Sequence, residues 1–314
     1  MNNYFRPNLI KFISKEDIIE EVEDGYSGCL LYKVTKGNEK FFVKVFHEKL
    51  DKKSFSKIQK ILEIYEKLKI KSLKIIDYGS IPNLGKYYIV YNYIEGCNLR
   101  VFTNSENCSL AEVKKMGESI GKELRKLKDY EGYDKAIFQP KDIEAFTQKA
   151  ITNFDQVLEN EDSKKLVTKY FKLEEIEKLK SKVNEFSQLF KKIKPKLIHG
   201  DIKRANIMLD KNQNLHIVDI ESMQVNYDVL NFRYQMTWAL FDEKETEFLK
   251  GYFDAIYDGR RPEYFNQQII YMIIANFFNV CYAPEDVEFE EYLINCRNVL
   301  EKIAKMDLEL ETIV

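Results

Sequence analysis

The chain has 314 residues, and 45% of them are hydrophobic, so it can bury the core of one large or two modest domains. Its 49 Lys and Arg residues nearly balance its 51 Asp and Glu residues, giving a formal net charge of −2. This balance argues against nucleic acid as a partner, because nucleic-acid binding calls for a strongly basic surface.

The cysteines and the apolar runs indicate a cytoplasmic protein without membrane association. Five cysteines are dispersed with no C-x-x-C pair, which is typical of reduced thiols and not of a disulfide framework or a zinc site. The first residues lack the apolar core of a signal peptide. The longest apolar run, 269–283, is interrupted by Asn276 and Asn279 and is too short to span a bilayer.

The first third of the chain is predicted to form about five antiparallel strands and one helix. Alternating apolar residues separated by turn residues mark the strands, which we place at 18–22, 29–35, 40–46, 74–78 and 87–93. Between the third and fourth strands, residues 54–68 carry apolar residues at helical spacing, and Ser54 is placed to cap that helix.

The turn after the first strand is rich in glycine. It spans residues 23–28, where Gly25 and Gly28 would let the backbone approach phosphate groups closely and Ser27 adds a donor. An ordinary hairpin turn has a similar composition, so the turn alone does not identify a phosphate site.

Lys44 lies inside an apolar strand. Strand alternation places it on the same face as Phe42 and Phe46. A lysine on such a face is unfavourable unless it is paired, which suggests a functional role. The alternative is an edge-strand lysine that faces water.

The remaining two thirds of the chain are predicted to be mainly helical. Ser109 and Glu112 are spaced as a capping box at the start of a helix over 109–127. Further helices are predicted at 141–158, 173–193, 243–257 and 264–282. A boundary after the fifth strand gives an N-terminal lobe of residues 1–93 and a helical C-terminal lobe of residues 94–314.

The stretch from residue 197 to residue 221 carries the strongest chemical signal. Short apolar runs, predicted to be two strands of a hairpin, flank His199-Gly200-Asp201, Asn206 and Asp219. Asp201 can accept the proton of an attacking hydroxyl group. Asn206 and Asp219 offer the oxygen ligands that Mg²⁺ prefers.

The spacing H-x-D-x-x-x-x-N, followed thirteen residues later by Asp, is that of the protein-kinase catalytic loop and metal-binding Asp. Here Gly200 replaces the usual Arg, and Asp219 begins Asp-Ile-Glu instead of Asp-Phe-Gly. H-G-D-x-x-x-x-N with D-x-E resembles the aminoglycoside phosphotransferase and choline kinase superfamily, the small-molecule branch of the protein-kinase-like fold. The resemblance runs from about residue 18 to about residue 282 and implies an α+β, bilobal architecture.

This resemblance implies Mg²⁺-dependent transfer of the γ-phosphate of ATP to a hydroxyl group of a small molecule, with GTP as the alternative donor. Asp201 would be the catalytic base, and Asn206 and Asp219 would hold Mg²⁺. Lys203 would neutralise charge on the transferring phosphoryl group, or would simply face solvent. His199 is expected to be structural.

The resemblance also implies how the first lobe binds the nucleotide. Lys44 would hold the α- and β-phosphates and pair with a glutamate of the following helix, for which Glu63 is the first choice and Glu66 the alternative. The other contacts, to phosphates and adenine, are expected from Gly25, Ser27, Gly28 and the backbone near Asn92 and Ile94.

In the second lobe, one position matches the family pattern and another departs from it. Asp228 matches a family aspartate that would brace the catalytic loop. Lys128 follows Leu127 where many relatives have histidine.

The sequence does not identify the acceptor, and it leaves alternative functions open. The acidic segment 285–291 would favour a cationic acceptor such as an aminoglycoside, an amino sugar or an amino alcohol, although a solvated acidic face has the same composition. A non-catalytic nucleotide-binding or structural protein, as some spore-coat relatives are thought to be, is one alternative. A protein kinase is a weaker one, because neither His-Arg-Asp nor Asp-Phe-Gly is present.

Overall fold

The computed structural model describes residues 10–22, 29–46, 52–81, 84–105, 108–232 and 242–282, together with residues 290, 293–294, 296–297 and 299–300. Gly25, Ser27 and Gly28, and all of the acidic segment except Glu290, lie outside the described residues. The chain divides into two compact units, one of Met1–Leu99 with Asn206–Glu221 and the other of Arg100–Ala205 with Ser222–Val314. The lobe boundary after residue 93 stays a prediction.

The first unit contains the predicted five-stranded antiparallel sheet. In spatial order β1-β2-β3-β5-β4, its strands are β1 (Ile18–Glu21), β2 (Leu30–Lys36), β3 (Glu39–Phe46), β5 (Lys86–Asn92) and β4 (Ile75–Ile81). Helix α1 (Lys52–Lys67) follows β3. A smaller three-stranded sheet joins β6 (Gly96–Asn98), β8 (Ile207–Asp210) and β9 (Leu215–Ile217). The α+β fold class expected from the sequence is therefore confirmed.

Each face of the large sheet is covered by a separate apolar cluster. On one face, Val43 and Val45 pack with Ile10 and Ile13. On the other face, a cluster around Ile89 and Tyr91 includes Phe42 and Phe46 of β3 and the α1 residues Phe55, Ile58 and Leu62. Because side chains alternate along a strand, Lys44 shares the face of Phe42 and Phe46.

The second unit is mainly helical. Its helices are α2 (Leu99–Asn104, beginning at the unit boundary), α3 (Leu110–Lys128), α4 (Ile143–Glu159), α5 (Glu161–Tyr170), α6 (Leu173–Leu189), α7 (Glu243–Ile256) and α8 (Phe265–Tyr282). The capping box at the start of α3 is present, since Ser109 N–H donates to Glu112 and Glu112 N–H donates to Ser109 Oγ. Within the described residues no helix is both long and apolar enough to cross a membrane.

Helices α3 and α7 pack with their backbones in close contact. A Cβ atom added at Gly117 would lie 2.1 Å from the Phe248 carbonyl oxygen, and one added at Gly251 would lie 2.0 Å from the Lys114 carbonyl oxygen. Only glycine permits this approach. The contact fixes the position of α7, whose first turn holds part of the candidate site.

Candidate active site

Lys44 forms two ion pairs within the first unit. Its Nζ lies 2.6 Å from Asp219 Oδ1 and 3.2 Å from Glu221 Oε1, and the residue is 7% exposed. Burial alone would lower the pKa of a lysine, but the carboxylates of Glu221 and Asp219 outweigh it and raise the pKa of Lys44. The ammonium group is therefore charged at neutral pH.

The expected ion pair between Lys44 and Glu63 is not present. Glu63 instead pairs with Lys60 at 2.7 Å, and its side chain is 61% exposed. Helix α1 turns Leu62 toward the sheet, and the next residue in a helix points about 100° away. Glu66, the alternative, is also exposed. The sequence could not fix this rotation, because it depends on which α1 residues pack on the sheet.

Glu221 takes the place expected of Glu63 as the second carboxylate beside Lys44. Tyr91 Oη donates to Glu221 Oε1 at 3.2 Å, and the pKa of Tyr91 is raised, first by burial and then by this carboxylate. Glu221 Oε2 is buried and makes no hydrogen bond with the described residues. We did not single out Glu221 from the sequence, although D-x-E in the motif was a signal for it.

Asn206 and Asp219 belong to the same unit and are tied together through the backbone. Val218 N–H donates to the Asn206 carbonyl oxygen at 2.9 Å. Asp219 adopts a positive φ of 59°, which is uncommon for a residue other than glycine and is typical of strained functional positions. Its carboxylate is fixed by Lys44.

An amide oxygen and a carboxylate fit Mg²⁺, which binds few protein groups and takes its other ligands from water and phosphate oxygens. Among the described residues there is no group of three or more His, Cys, Asp or Glu side chains that could hold a metal ion by themselves.

The second unit carries the loop with Asp201. The loop follows β7 (Lys196–Ile198), which pairs with β10 (Gln224–Asn226). Lys203 Nζ lies 3.3 Å from Asp201 Oδ2, and the Asp201 side chain is 19% exposed, so part of its carboxylate is open to solvent. Asp201 N–H donates to His199 Nδ1 at 3.3 Å, and His199 is fully buried. This burial suits a structural role for the histidine.

The residue that braces this loop is Asn231. Its side-chain oxygen accepts from Gly200 N–H at 2.9 Å, and its carbonyl oxygen accepts from Ile202 N–H at 2.7 Å, so both neighbours of Asp201 are held. Asn231 Nδ2 donates in turn to Tyr252 Oη at 3.0 Å. We expected Asp228 to brace the loop, but the contacts that hold it come from Asn231, three residues further on.

Arg204 anchors the other end of the loop. It is 2% exposed, its Nε lies 2.6 Å from Glu245 Oε2, and a terminal nitrogen contacts the Asp242 carboxylate. A further nitrogen donates to Thr103 Oγ1 at 2.8 Å. Asp242 also caps α7 by accepting from the N–H groups of Lys244 and Glu245. Arg204 was not singled out from the sequence, because nothing in the neighbouring residues indicates that an arginine in a loop will be buried.

The strand end expected to contact adenine is partly engaged within the sheet. Asn92 N–H donates to the Lys74 carbonyl oxygen at 3.0 Å, and Asn92 Oδ1 accepts from Lys74 N–H at 2.5 Å. Ile94 is 8% exposed. The adenine contacts at Asn92 and Ile94 stay predictions, as do the phosphate contacts of Gly25, Ser27 and Gly28.

A five-stranded sheet with a buried, ion-paired lysine, together with a helical unit that carries the H-G-D loop, is typical of protein-kinase-like phosphotransferases. The chain belongs to the APH family, the phosphotransferase enzyme family, whose model matches residues 18–264. This confirms the superfamily resemblance recognised in the sequence. No curated protein sequence matches the chain.

Solved structures share the fold. Spectinomycin phosphotransferase APH(9)-Ia in complex with ADP and spectinomycin is 15% identical, with 91% of this chain and 92% of that chain covered and a TM-score of 0.58. The GDP and kanamycin complex of an APH(2″) enzyme is 13% identical, with 96% of each chain covered and a TM-score of 0.63. Choline kinase LicA from Streptococcus pneumoniae is 16% identical, with 92% and 94% covered and a TM-score of 0.56.

Proposed function

We propose that the protein is a Mg²⁺-dependent kinase that transfers the γ-phosphate of ATP to a hydroxyl group of a small molecule. The observation that carries this proposal is the ion pair between Lys44 and Asp219, which are 175 residues apart in sequence. A phosphate-binding lysine and a metal-binding aspartate are the two parts that nucleotide phosphates need in this class. Membership of the phosphotransferase family supports the same reading.

In the first unit, Lys44 would bind the α- and β-phosphates, because its ammonium group is held charged and in place by two carboxylates. Asn206 and Asp219 would hold Mg²⁺ through their side-chain oxygens. The bound Mg²⁺ would supply charge neutralisation at the phosphate groups. Glu221 would keep Lys44 oriented, since it forms an ion pair with Lys44 and accepts a hydrogen bond from Tyr91.

In the second unit, Asp201 would orient the acceptor hydroxyl and take its proton on the carboxylate. The Asp201 side chain is partly exposed, and Asn231 fixes the backbone on both sides of it. Lys203, 3.3 Å from Asp201, would offset negative charge near the attacking oxygen. Most of the rate enhancement would come from positioning and charge stabilisation.

We further propose that the acceptor carries an amine or ammonium group. The solved relatives include one complex with spectinomycin, one with kanamycin, and a choline kinase. The acidic segment 285–291 of this chain would suit such a cation. ATP is the proposed donor, and GTP is the alternative because one relative was solved with GDP.

The test is nucleoside diphosphate formation from ATP or GTP with Mg²⁺, against a panel of aminoglycosides, amino sugars, choline and ethanolamine. We expect turnover with one acceptor class, and we expect Asp201→Ala to abolish it while nucleotide binding persists. Asp219→Ala should instead weaken binding of the Mg²⁺–nucleotide complex.

The outcomes separate the alternatives. Nucleotide binding without turnover on any acceptor, in the wild-type protein, would favour the non-catalytic alternative. If the protein binds no nucleotide at all, the kinase proposal is wrong. A wild-type rate in Asp201→Ala would show that another group is the base.

A further inference from the structure

A cavity of about 360 Å³ opens within the second unit. It is lined by residues from the C-terminal ends of α3 and α7, the N-terminal part of α8, and the segments around β7 and β10; Asp201 and Lys203 are not among them. A cavity of this size can hold a small organic molecule. The proposed phosphoryl transfer assigns no role to it.

The cavity is rich in positive charge. Five cationic side chains line it, against the two carboxylates of Asp129 and Asp228; the cations are those of Arg125, Lys128, Lys194, Lys196 and Arg260.

Ion pairs with carboxylates neutralise only part of this positive charge. Lys194 and Lys196 share a single partner, the half-exposed Glu131, at 3.0 Å each. Arg125 is 3.2 Å from Asp258 and 3.7 Å from Asp129. Arg260 forms no ion pair with the described residues. The rim can therefore accept a further anion.

The inner wall offers two buried polar atoms that lack partners. Asp228 is 9% exposed and Gln268 is 3% exposed. Asp228 Oδ1 and Gln268 Nε2 make no hydrogen bond with the described residues. An unpaired buried polar atom is unfavourable by itself, so such a pair in a cavity wall suggests a ligand.

Lys128 and Tyr257 hold the Asp228 side chain. Lys128 Nζ lies 3.3 Å from Asp228 Oδ2 and 3.9 Å from the centre of the Tyr257 ring. Burial raises the pKa of the Asp228 carboxyl, against the lowering effect of Lys128 and of a hydrogen bond with Tyr257. With Oδ2 engaged in this way, Oδ1 is left to meet a ligand.

We propose that this cavity binds a small phosphate monoester that also carries a free hydroxyl group. The phosphate would lie on the basic rim at Lys196 and Arg260, since a phosphate monoester carries up to two negative charges. The hydroxyl group would meet Asp228 Oδ1 and Gln268 Nε2, because a hydroxyl both donates and accepts. This proposal does not depend on the proposed kinase activity.

Isothermal titration calorimetry on the full-length protein, at fixed ionic strength and without nucleotide, tests the binding. The probes are glucose 6-phosphate and glycerol 3-phosphate, and the comparison compounds are glucose, glycerol and inorganic phosphate. We expect a phosphate ester to bind more tightly than inorganic phosphate, and the uncharged parent compounds not to bind. Absence of binding by both esters would overturn the proposal.

Variants then locate the site. The double variant Lys196→Gln/Arg260→Gln should weaken ester binding by at least about tenfold, because it removes two charge-assisted contacts. Gln268→Met keeps a similar volume and should weaken the ester more than inorganic phosphate. Lys165→Gln is the matched control, since Lys165 is 75% exposed and outside the cavity, and it should change nothing.

Lys44→Met distinguishes this cavity from the proposed nucleotide site, which also attracts phosphate. Ester affinity should be unchanged in Lys44→Met if the ester binds the cavity. Loss of ester binding in Lys44→Met together with wild-type affinity in Lys196→Gln/Arg260→Gln would assign the ester to the nucleotide site and overturn the proposal. The rim substitutions are exposed or half-buried, so thermal unfolding midpoints should confirm that both variants fold.

Discussion

The side chain of Asn231 accepts a hydrogen bond of 2.9 Å from the backbone N–H of Gly200, next to the proposed catalytic base. The carbonyl oxygen of Asn231 holds Ile202 on the other side of Asp201 at 2.7 Å. A 3₁₀ helix over Asp228–Phe232 supplies this brace, and Tyr252 of α7 supports it through Asn231 Nδ2. The backbone on both sides of Asp201 is therefore held by Asn231 and, through Asn231, by Tyr252.

Replacing this brace should reduce turnover and leave nucleotide binding intact. In Asn231→Ala, the buried Gly200 N–H loses its acceptor, which we expect to destabilise the loop by about 1–3 kcal/mol. We expect kcat to fall at least about tenfold, because small displacements of a catalytic group are strongly felt in the rate. Nucleotide affinity, measured by fluorescence titration, should not change, since Lys44 and Asp219 lie in the first unit.

Tyr252→Phe is the control for the Asn231 variant. It removes the outer hydrogen bond and keeps the one between Asn231 and Gly200, so its effect on kcat should be smaller. An equal loss in both variants would indicate general damage to the packing around α7 and not a specific brace.

Substitution of Gly200 should destabilise the protein for two separate reasons, backbone strain and steric overlap. Its φ is +87°, and a Cβ atom would fall 2.5 Å from the Ser222 carbonyl oxygen and 2.8 Å from Gln224 Nε2. Gly259 has a φ of +71° with no atom within 4 Å of an added Cβ, so Gly259→Ala isolates the backbone strain. That strain is roughly 1–2 kcal/mol.

Gly200→Ala should therefore lower the free energy of unfolding by clearly more than Gly259→Ala does, as measured by urea denaturation. It should also abolish turnover. Equal destabilisation by the two substitutions would mean that Ser222 and Gln224 move away from the new methyl group at little cost.

Glu221, and not Glu63, should support nucleotide binding through Lys44. We expect Glu221→Gln to raise the KM for ATP, because Lys44 loses one of its two carboxylate partners and Tyr91 loses a charged acceptor. Glu63→Gln should leave KM unchanged, because an exposed ion pair with Lys60 contributes little. Steady-state kinetics of the two variants, measured side by side, shows which glutamate supports nucleotide binding.

The opposite pattern of KM changes would point to a rearrangement of α1 on nucleotide binding. If Glu63→Gln raises KM and Glu221→Gln does not, nucleotide binding must rotate α1 so that Glu63 reaches Lys44. The pairing expected from the sequence would then belong to the nucleotide-bound state.

Arg204 should be essential for stability. Arg204→Gln leaves the buried carboxylate of Glu245 without its cation, and breaking a buried pair of this kind costs about 3–5 kcal/mol. Burial already raises the pKa of Glu245 against the lowering effect of Arg204. We expect a large drop in the thermal unfolding midpoint.

The matched control for Arg204 is Arg125→Gln in the same unit. Arg125 is 41% exposed and pairs with Asp258 at the surface, so its loss should barely change the unfolding midpoint. Similar midpoints for the two variants would contradict the view that Arg204 anchors the loop that carries Asp201.

The sequence by itself determined the architecture and the chemistry-bearing motif. Alternation in β3 placed Lys44 on the face of Phe42 and Phe46, because side chains in a strand alternate regardless of what packs against them. Helical spacing and the capping box predicted α3, since both depend on neighbouring residues only. The spacing of Asp201, Asn206 and Asp219 indicated the family, which the family model confirms.

Only the tertiary structure decided which groups meet. Glu221 instead of Glu63 pairs with Lys44 because the packing of α1 on the sheet sets the helix rotation, which no local pattern specifies. Asn231 instead of Asp228 holds the loop that carries Asp201, and Arg204 is buried by residues far away in sequence. The preference of a segment for helix or strand depends on neighbouring residues. Ion pairs and hydrogen bonds between distant segments form only when the chain is packed.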